Sequence, residues 1–478
     1  MKRTIFIAVL TLMTVSMASS CESFLDQQLK GDYTSDNYYT SSSQAEMAVN
    51  AVYNSLYGNT LWIFGDVASD DAVKGGNAGD EADINDIDDF SALADNGCIS
   101  TFWQSTYETI ARANNVIANV SGMDIDEKTR DRYIGEAKFL RAYSYFNLVN
   151  IFGEVPLKLL PQTSSATINV GLSSVDSIYG QIDEDLSYAA SVLPVSYSTE
   201  TGRATKGAAF ALLAKSKLFQ KDYADCLEDI DSIENLHVYG LLSNYGDLFK
   251  AGAEDSIESI FAIRYVNNTE VSLGDNLDVW FSPSWEGGYY FDAPTQAYVD
   301  CFTEKTVSGE TDPRLDASIG RDGHPWFNDT TFSSSWSEAT GYLVKKYDED
   351  LSTTYAKSQS TIPQHIIRYA DVILMKAEAL NELGSSNVAF AAAEVDRIRE
   401  RAGLAPTTAT TQSGLRDVIR NERRKELGFE FHRFFDVMRY GNDYAQSVLG
   451  SDLTWSGDRF YFPIPQAETE TNKALQND

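Results

Sequence analysis

Cysteine and histidine are scarce in this sequence, and the short motifs of common enzyme classes are absent from it. Its 478 residues include four cysteines and four histidines, and the histidines are scattered without a zinc-ligand spacing. We find no glycine-rich dinucleotide fingerprint, no phosphate-binding loop and no nucleophile elbow. The acidic stretch GDEADINDIDD has enough carboxylates for calcium but lacks EF-hand spacing, which indicates a solvated loop. The sequence therefore predicts no cofactor, no metal and no catalytic residue.

Only three cysteines lie beyond the first 21 residues, and they are too far apart for a disulfide framework. Cys98, Cys226 and Cys301 show neither the regular spacing of a disulfide-rich domain nor a CxxC pair. Two interpretations stay open: one disulfide between two of them, or buried free thiols.

Positive charge is also in short supply. Lysine and arginine number 38 against 70 aspartates and glutamates, which gives a formal net charge of −32. Such a chain repels polyanions, so broad binding of nucleic acid through phosphate contacts is excluded. Acidic polysaccharides are disfavoured unless a local basic patch overrides the field, and neutral ligands remain open.

The long apolar run stands at the N-terminus and is too short to span a bilayer comfortably. Lys2 and Arg3 precede apolar residues 5–15, and the stretch MASSC brings small residues up to Cys21. A signal peptide that ends at a cysteine resembles a lipoprotein processing site, so we expect residues 1–20 to be removed and Cys21 to be acylated. The alternative is an ordinary secretory signal followed by a chance cysteine. On the first interpretation residues 21–43 are a lipidated tether, and the protein is anchored to a membrane without spanning it.

Apolar residues recur at intervals of three and four along most of the remaining sequence, which predicts helices. They begin near residues 44 and 102 and continue at 127–152, 175–193, 203–220, 223–234, 363–383 and 387–401. The last four form two hairpins with alanine at packing positions. Such pairs are typical of TPR-like repeats, in which each pair buries its apolar face on the next. Residues 65–97, rich in glycine and aspartate, are predicted to be a long loop.

Helical periodicity stops at residues 262–345, where aromatic residues stand among glycine, serine, asparagine and aspartate. We predict an irregular lobe there, and loops on a rigid scaffold commonly carry binding residues. A sugar exposes apolar C–H faces ringed by hydroxyls, so its site needs exposed aromatic rings beside polar side chains. Two groups of candidate ligand-binding residues meet this need: Trp62, Asp70 and Asp71 in the first, and Trp280, Trp285, Tyr289, Tyr290 and Trp326 in the second, with Trp336 as a further candidate. For each ring the alternative is core packing beneath a loop.

The segment at residues 415–440 places charge on one half of a predicted amphipathic helix. Three glutamates recur there four residues apart: Glu422, Glu426 and Glu430. This stacking is unfavourable unless cations interleave, and Arg423, Arg433 or basic residues of a neighbouring helix can supply them. We interpret the segment as a buried or half-buried ion network that fixes helix packing. The alternatives are a docking surface and an active site, and the second lacks a paired acid and base at a reachable position.

The same segment contains RNERRKELGFEFHRFFDVMRYG, which closely resembles the C-terminal signature of the SusD/RagB family of surface glycan-binding lipoproteins. Further stretches resemble the family in the same order: SCESFLD, EAKFLRAYSYFNLVNIFGEVPL, GRATKGAAFALLAKSKLF, HIIRYADVILMKAEALNELG, VDRIRERAGL and YFPIPQAETETNKALQND. The resemblance implies an all-α-dominated fold, a superhelix of TPR-like helix pairs with an irregular aromatic-rich loop lobe. It also implies a single domain at 44–478, with the scaffold at about 44–240 and 361–440 and the lobe at about 241–360 and 441–478.

The function implied by the resemblance is capture of nutrients at the cell exterior. Such proteins are lipid-anchored in the outer membrane beside a SusC-like TonB-dependent transporter, to which they deliver neutral oligosaccharides or, in some members, peptides. The family is not enzymatic, and its ligand residues differ between members, so no binding residue transfers by motif. The residues themselves leave three other functions open. They are peptide capture on the same scaffold, a secreted glycoside hydrolase with two carboxylates about 5 to 10 Å apart, and a TPR module that only docks proteins.

Overall fold

Helices dominate the structure, a computed structural model that describes residues 38–58, 60–268, 273–327, 329–348, 357–450 and 460–476. The predicted leader, Cys21 and most of the predicted tether lie outside the described residues. Among the described residues, Cys98, Cys226 and Cys301 are free cysteines. No helix in these ranges is long and apolar enough to cross a membrane.

The described elements are many helices and a few short strands. The α-helices are α1 (Ser42–Asn54), α2 (Ala82–Asp88), α3 (Gly97–Val120), α4 (Glu127–Phe152), α5 (Ser165–Ile168), α6 (Val175–Val192), α7 (Lys206–Phe219), α8 (Tyr223–Glu234), α9 (Leu277–Phe281), α10 (Gln296–Asp300), α11 (Pro313–Ser318), α12 (Tyr369–Glu382), α13 (Val388–Arg401), α14 (Gln412–Leu427), α15 (Arg433–Arg439), α16 (Asn442–Leu449) and α17 (Gln466–Thr471). The strands are β1 (Ala72–Gly75), β2 (Val155–Pro156), β3 (Leu172–Ser173), β4 (Ser259–Ile263), β5 (Phe291–Pro294), β6 (Ile319–Gly320), β7 (Leu343–Val344) and β8 (Gln364–Arg368).

The long helices stack one on the next. Helix α3 packs on α4, α4 on α6, α6 on α7, and α7 on α8. Helix α8 then contacts α12, which packs on α13 and α14. Ala208, Ala211 and Ala377 are fully buried at these contacts, and their small side chains let neighbouring helix axes approach closely. The predicted helix-dominated scaffold of stacked pairs is therefore confirmed.

Helix α4 is the centre of the scaffold. Asp126 caps its first turn by accepting a hydrogen bond from the Thr129 backbone N–H at 3.0 Å. The chain leaves the helix at Gly153, whose φ of 74° suits glycine. From Tyr133 to Phe152 every residue except Lys138 is buried. A helix that is buried around its whole circumference must lie inside the core, which explains why neighbours pack on both of its sides.

The predicted loop at 65–97 is only partly a loop, because it contains β1 and α2. Strand β1 pairs antiparallel with β5, with Ala72 opposite Pro294 and Gly75 opposite Phe291. The partner strand lies more than two hundred residues away, so local periodicity carries no signal for this pairing. The prediction of a structureless segment is therefore wrong here.

The predicted helix at 363–383 begins later than expected. Residues Gln364–Arg368 form β8, which pairs antiparallel with β4, and the helix starts at Tyr369. The short run of apolar residues fits a buried strand as well as a helix, and the distant partner strand decides between them.

The predicted single helix at 415–440 is broken in two. Helix α14 ends at Leu427, and a Cβ at Gly428 would lie 2.5 Å from the ring of Tyr298. Phe429 and Phe431 then take positive φ values of 59° and 66°, which turn the chain before α15 begins. The apolar residues keep a helical spacing across the break, so spacing alone did not reveal it.

The ion network predicted for this segment is confirmed, although most of the cations that pair with the glutamates come from other elements; Lys425 of the same helix lies 3.3 Å from Glu422. The three stacked glutamates are buried and are paired with Arg314, Arg368, Arg399, Arg401 and Lys346. Arg423 pairs instead with Asp371 at 2.8 Å and with Asp436 at 3.1 Å. The network ties α14 to β8, α11 and α13 and so fastens the lobe to the helical scaffold.

Candidate functional site

The most exposed indole of the second candidate group is Trp285, and it lies against another candidate ring. Trp285 is 51 % exposed and stands in a short 3-10 turn, Ser284–Glu286, which Gly287 ends with a φ of 93°. The Trp336 ring lies 5.0 Å from it, centroid to centroid. Trp336 is half-buried because it packs on Phe332 at 5.0 Å. The exposed indole is therefore backed by a buried aromatic cluster that restricts its position.

A second exposed ring stands four residues further along the same segment. Tyr289 is 53 % exposed, and its ring lies 5.6 Å from that of the half-buried Trp280. The Tyr289 backbone N–H donates to the Val279 carbonyl at 2.8 Å, which fixes the segment on α9. We call Trp280, Trp285, Tyr289 and Trp336 the aromatic platform.

A buried polar clamp holds the platform from below. The Trp326 Nε1–H donates to Glu286 Oε1 at 2.9 Å, and Lys357 Nζ lies 3.3 Å from Glu286 Oε2. Lys357 Nζ also donates to Asp348 Oδ1 at 2.7 Å and to Ser282 Oγ at 2.6 Å. Burial raises the pKa of Glu286 to about 7, and the nearby Asp348 charge adds to the shift. The carboxylates of Glu286 and Asp348 are therefore both paired with Lys357, and they do not face each other across an open cleft.

The β1–β5 pairing brings the segment that follows the first candidate group beside Tyr290 of the second. The Gly76 backbone N–H donates to the Tyr290 carbonyl at 2.9 Å, and the Tyr290 hydroxyl donates to Asn77 Oδ1 at 2.5 Å. A Cβ at Gly76 would lie 2.7 Å from the Phe291 ring, so a glycine is needed for this close approach. The exposed amide of Asn77 therefore lies beside the segment that carries Tyr289.

Three candidate rings are not surface rings, and the prediction that they are exposed is wrong. Trp62 is 1 % exposed, Trp326 is 5 % exposed and Tyr290 is 9 % exposed. Trp62 packs between Trp280 at 5.7 Å and Phe281 at 5.4 Å, beneath the platform. Trp326 and Tyr290 stand near turn-forming residues, which suggests exposure, whereas Trp62 lies in the apolar stretch LWIF. Aromatic partners from other segments cover all three rings.

The two candidate aspartates of the first group are ion-paired inside the protein, so their predicted role as partners of sugar hydroxyls is wrong. Asp70 accepts from Arg433 Nε at 2.7 Å, and Asp71 accepts from Arg424 Nε at 2.5 Å. Burial acts to raise the pKa of Asp70, but the charges of Arg433 and Arg424 outweigh it and hold the pKa below its usual range. Both carboxylates anchor the 65–75 segment to α14 and α15.

The sequence interpretation missed the clamp residues Glu286 and Lys357. A glutamate that follows an exposed tryptophan carries no distinguishing pattern, and Lys357 comes from a segment 71 residues away. Within the described ranges, no group of three or more histidine, cysteine, aspartate or glutamate side chains is arranged to hold a metal ion.

Comparison with known families identifies the family to which this fold belongs. A family model described as "SusD family" matches residues 257–478, and one described as "Starch-binding associating with outer membrane" matches residues 6–218. This chain is a member of the SusD family. The family consists of glycan-binding proteins and not of enzymes, so membership supports carbohydrate binding.

SusD-family relatives match nearly the whole chain. SusD-like protein P2 of Formosa agariphila is 28% identical and is aligned over 94% of this chain and 95% of its own length. The structure of a laminarin-binding SusD-like protein superposes with a TM-score of 0.78 at 27% identity, covering 91% of this chain and 98% of that chain. A SusD-like carbohydrate-binding protein of Bacteroides fragilis gives a TM-score of 0.77 at 26% identity, with coverage of 92% and 98%.

Proposed function

We propose that this SusD-family protein binds neutral oligosaccharides on the aromatic platform. The observation that carries the proposal is the presence of two exposed rings, Trp285 and Tyr289, on one segment with buried aromatic support beneath it. Flat rings held in place can stack on the apolar faces of successive sugar units at little entropic cost. The amide of Asn77 lies beside them; its Oδ1 accepts from Tyr290 and its Nδ2 donates to Asp80 at 2.9 Å, which leaves one lone pair and one N–H for sugar hydroxyl groups. The chain's strong negative charge favours neutral over acidic ligands at this site.

We further propose that the protein is a lipoprotein of the outer membrane that faces the cell exterior. Cleavage before Cys21 would leave residues 21–43 as the lipidated tether and residues 44–478 as one domain. The family description that includes association with the outer membrane supports this placement. Replacing Cys21 with serine should move the protein out of the membrane fraction of the cells that express it. Retention of the variant in that fraction would contradict lipid anchoring.

In the proposed pathway the captured oligosaccharide passes to a SusC-like TonB-dependent transporter, and the protein itself performs no chemistry. The support for non-enzymatic capture is the position of Glu286 and Asp348, which are both held by Lys357 beneath the platform. A glycosidase needs two carboxyl groups on opposite sides of the scissile bond. We therefore expect bound oligosaccharides to be recovered intact.

The proposal is tested by binding of the mature protein to immobilised or soluble laminarin and starch. Trp285→Ala should weaken binding at least about tenfold, corresponding to about 1.4 kcal/mol, because a central aromatic contact is removed. Phe390→Ala is the matched control, since it also removes an exposed ring, on α13 and away from the platform.

Three outcomes would contradict the proposed function. The first is equal affinity of the Trp285 and Phe390 variants, and the second is release of reducing ends from a bound sugar. The third is saturable binding of a peptide library combined with no affinity for any neutral glycan.

A further inference from the structure

A cavity lies in the helical scaffold, away from the aromatic platform. Its lining carries more positive than negative side chains, although the protein as a whole is very acidic. The cavity has a volume of about 380 Å³ and lies among α7, the turn after it, α8, α12, α14 and α15. We call it the basic pocket, and its lining is Leu218, Lys221, Tyr223, Glu378, Glu382, Arg416, Ile419, Arg420, Arg439 and Tyr440. Four cations therefore face two carboxylates. The pocket shares no residue with the aromatic platform.

Both carboxylates of the pocket are already neutralised by their own arginines. Glu382 accepts from Arg416 Nε at 2.6 Å and from Arg416 Nη2 at 2.7 Å. Glu378 is paired in the same two-point manner with Arg439, with Nη2 to Oε2 at 2.8 Å. Such bidentate pairs satisfy the geometry of both partners. The excess charge of the lining therefore resides on the two remaining cations, Lys221 and Arg420.

Arg420 contacts two aromatic rings, and no described residue accepts a hydrogen bond from its guanidinium. Its guanidinium carbon lies 4.3 Å from the centroid of the Tyr440 ring and 4.7 Å from that of Tyr444. The Nε atom is buried without a hydrogen-bond partner, and the described residues place no carboxylate in ion-pair contact with this guanidinium. A guanidinium offers five N–H donors, and these two ring contacts engage its charge without supplying a carboxylate or carbonyl acceptor. The arginine is thus restricted in orientation, and its terminal Nη groups make no hydrogen bond with a described residue.

Lys221 completes the lining from the turn between α7 and α8. Its φ of 62° places it in the left-handed region, and its side chain is exposed. In the described part of the chain no carboxylate lies within ion-pair distance of its ammonium group. The adjacent carboxylate of Asp222 is used as the cap of α8, accepting from the Asp225 N–H at 3.4 Å.

We propose that the basic pocket binds a carboxylate or sulfate group carried on a small molecule of about one or two sugar units. A planar guanidinium with a free edge matches two oxygens of an oxyanion, and a nearby ammonium adds a second charge. The cavity volume falls in the range of small-molecule sites, about 300 to 1,000 Å³. Inorganic sulfate alone would fill only part of it. The site is independent of the aromatic platform, and it is a local exception to the repulsion that the acidic chain exerts on anions.

Calorimetry on the full mature protein tests the proposal with sodium glucuronate, sodium sulfate and neutral glucose as separate probes at constant ionic strength maintained with chloride. We expect saturable binding of glucuronate or sulfate and none of glucose. Binding of sulfate alone assigns the site to a sulfate group, and binding of glucuronate alone assigns it to a carboxylate. Equal heats for all three probes would overturn the proposal.

Variants link any binding to the pocket. Arg420→Gln should weaken it at least about tenfold, because a charged hydrogen-bonding partner is lost. Lys221→Gln lies on an exposed turn and should preserve the fold while weakening binding about two- to fivefold. Lys250→Gln is the control, since this exposed lysine pairs with Asp247 outside the pocket. Unchanged affinity in both pocket variants would overturn the proposal, and if Arg420→Gln does not fold, unchanged affinity in the Lys221 variant alone would do so.

Discussion

Replacing Arg368 with methionine should destabilise the protein strongly, because this arginine lies at the centre of the buried ion network. Its Nε and Nη2 donate to the two carboxylate oxygens of Glu430 at 2.7 Å and 2.9 Å. Its Nη1 donates to Glu258 Oε1 at 2.9 Å and to Glu426 Oε1 at 2.5 Å, and Nη2 also donates to the Glu426 carbonyl at 2.6 Å. All five N–H donors are therefore used, and the side chain is buried.

The expected loss in the free energy of unfolding follows from the carboxylates that the substitution leaves without Arg368. Methionine fills a similar volume, but three buried carboxylates lose a counter-charge, and breaking a buried pair from one side costs about 3–5 kcal/mol. Glu426 keeps Arg314 and Arg401, and Glu430 keeps Lys346, so the loss stays within that range. With an unfolding entropy of about 2 cal/mol/K per residue, a chain of 478 residues should lose roughly 3–5 °C in Tm.

Thermal unfolding monitored by circular dichroism measures this effect against a matched surface control. Lys250→Met removes one side of an exposed pair with Asp247 and should cost less than about 0.5 kcal/mol, because solvent screens the pair. If the Tm of Arg368→Met falls no further than the Tm of Lys250→Met, the reasoning is refuted. The variant would then not leave buried carboxylates without a counter-charge, as argued.

Two further predictions concern pH, and they have opposite signs. Burial lowers the pKa of His365 to about 4, against about 6.5 in an unfolded chain. The unfolded state alone takes up the proton between these values, so stability should fall by up to about 3 kcal/mol as pH drops from 6.5 to 4. His365→Gln should reduce the difference in Tm between pH 7 and pH 4.5, and an unchanged difference would contradict this origin. The pKa of Glu286 in the folded protein, about 7, lies above its value in an unfolded chain. Its contribution to the free energy of unfolding is therefore complete below about pH 4.5 and is lost as pH rises through 7. Glu286→Gln mimics the protonated form and should reduce the difference in Tm between pH 5 and pH 8. An equal difference in the variant and the parent would show that this carboxyl does not titrate as stated.

The candidate site illustrates how far a sequence pattern can be taken. Trp285 is followed by Gly287 and Gly288, and these turn residues indicated its exposure from the sequence. Trp326 also stands near turn-forming residues, Gly323 and Pro325, yet it is buried, as is Trp62 in its apolar stretch. What distinguishes them is the set of side chains that pack on each: Trp280 packs on Trp62, and Tyr290 and Leu343 belong to the cluster around Trp326. These contacts join segments that are separated in the chain.

The glutamates of α14 show the same limit for charge. Their spacing required cations, and this requirement was correct. The cations include Arg314, Arg368 and Arg401 from other elements, while the nearby Arg423 pairs with Asp371. The spacing of the glutamates shows that their negative charge must be neutralised. Which basic residues do so depends on the elements that pack against the helix.

The amino-acid sequence by itself determined the helix pairs, the family and the segment that carries the exposed rings. These properties are local, because helical periodicity, alanine at packing positions and turn residues act over a few neighbouring residues. The tertiary structure alone decided which rings remain in solvent and which carboxylates are neutralised. It joined the two candidate loops through contacts such as Tyr290 with Asn77, 213 residues apart, and burial depends on such partners and not on the side chain's own neighbours in the chain.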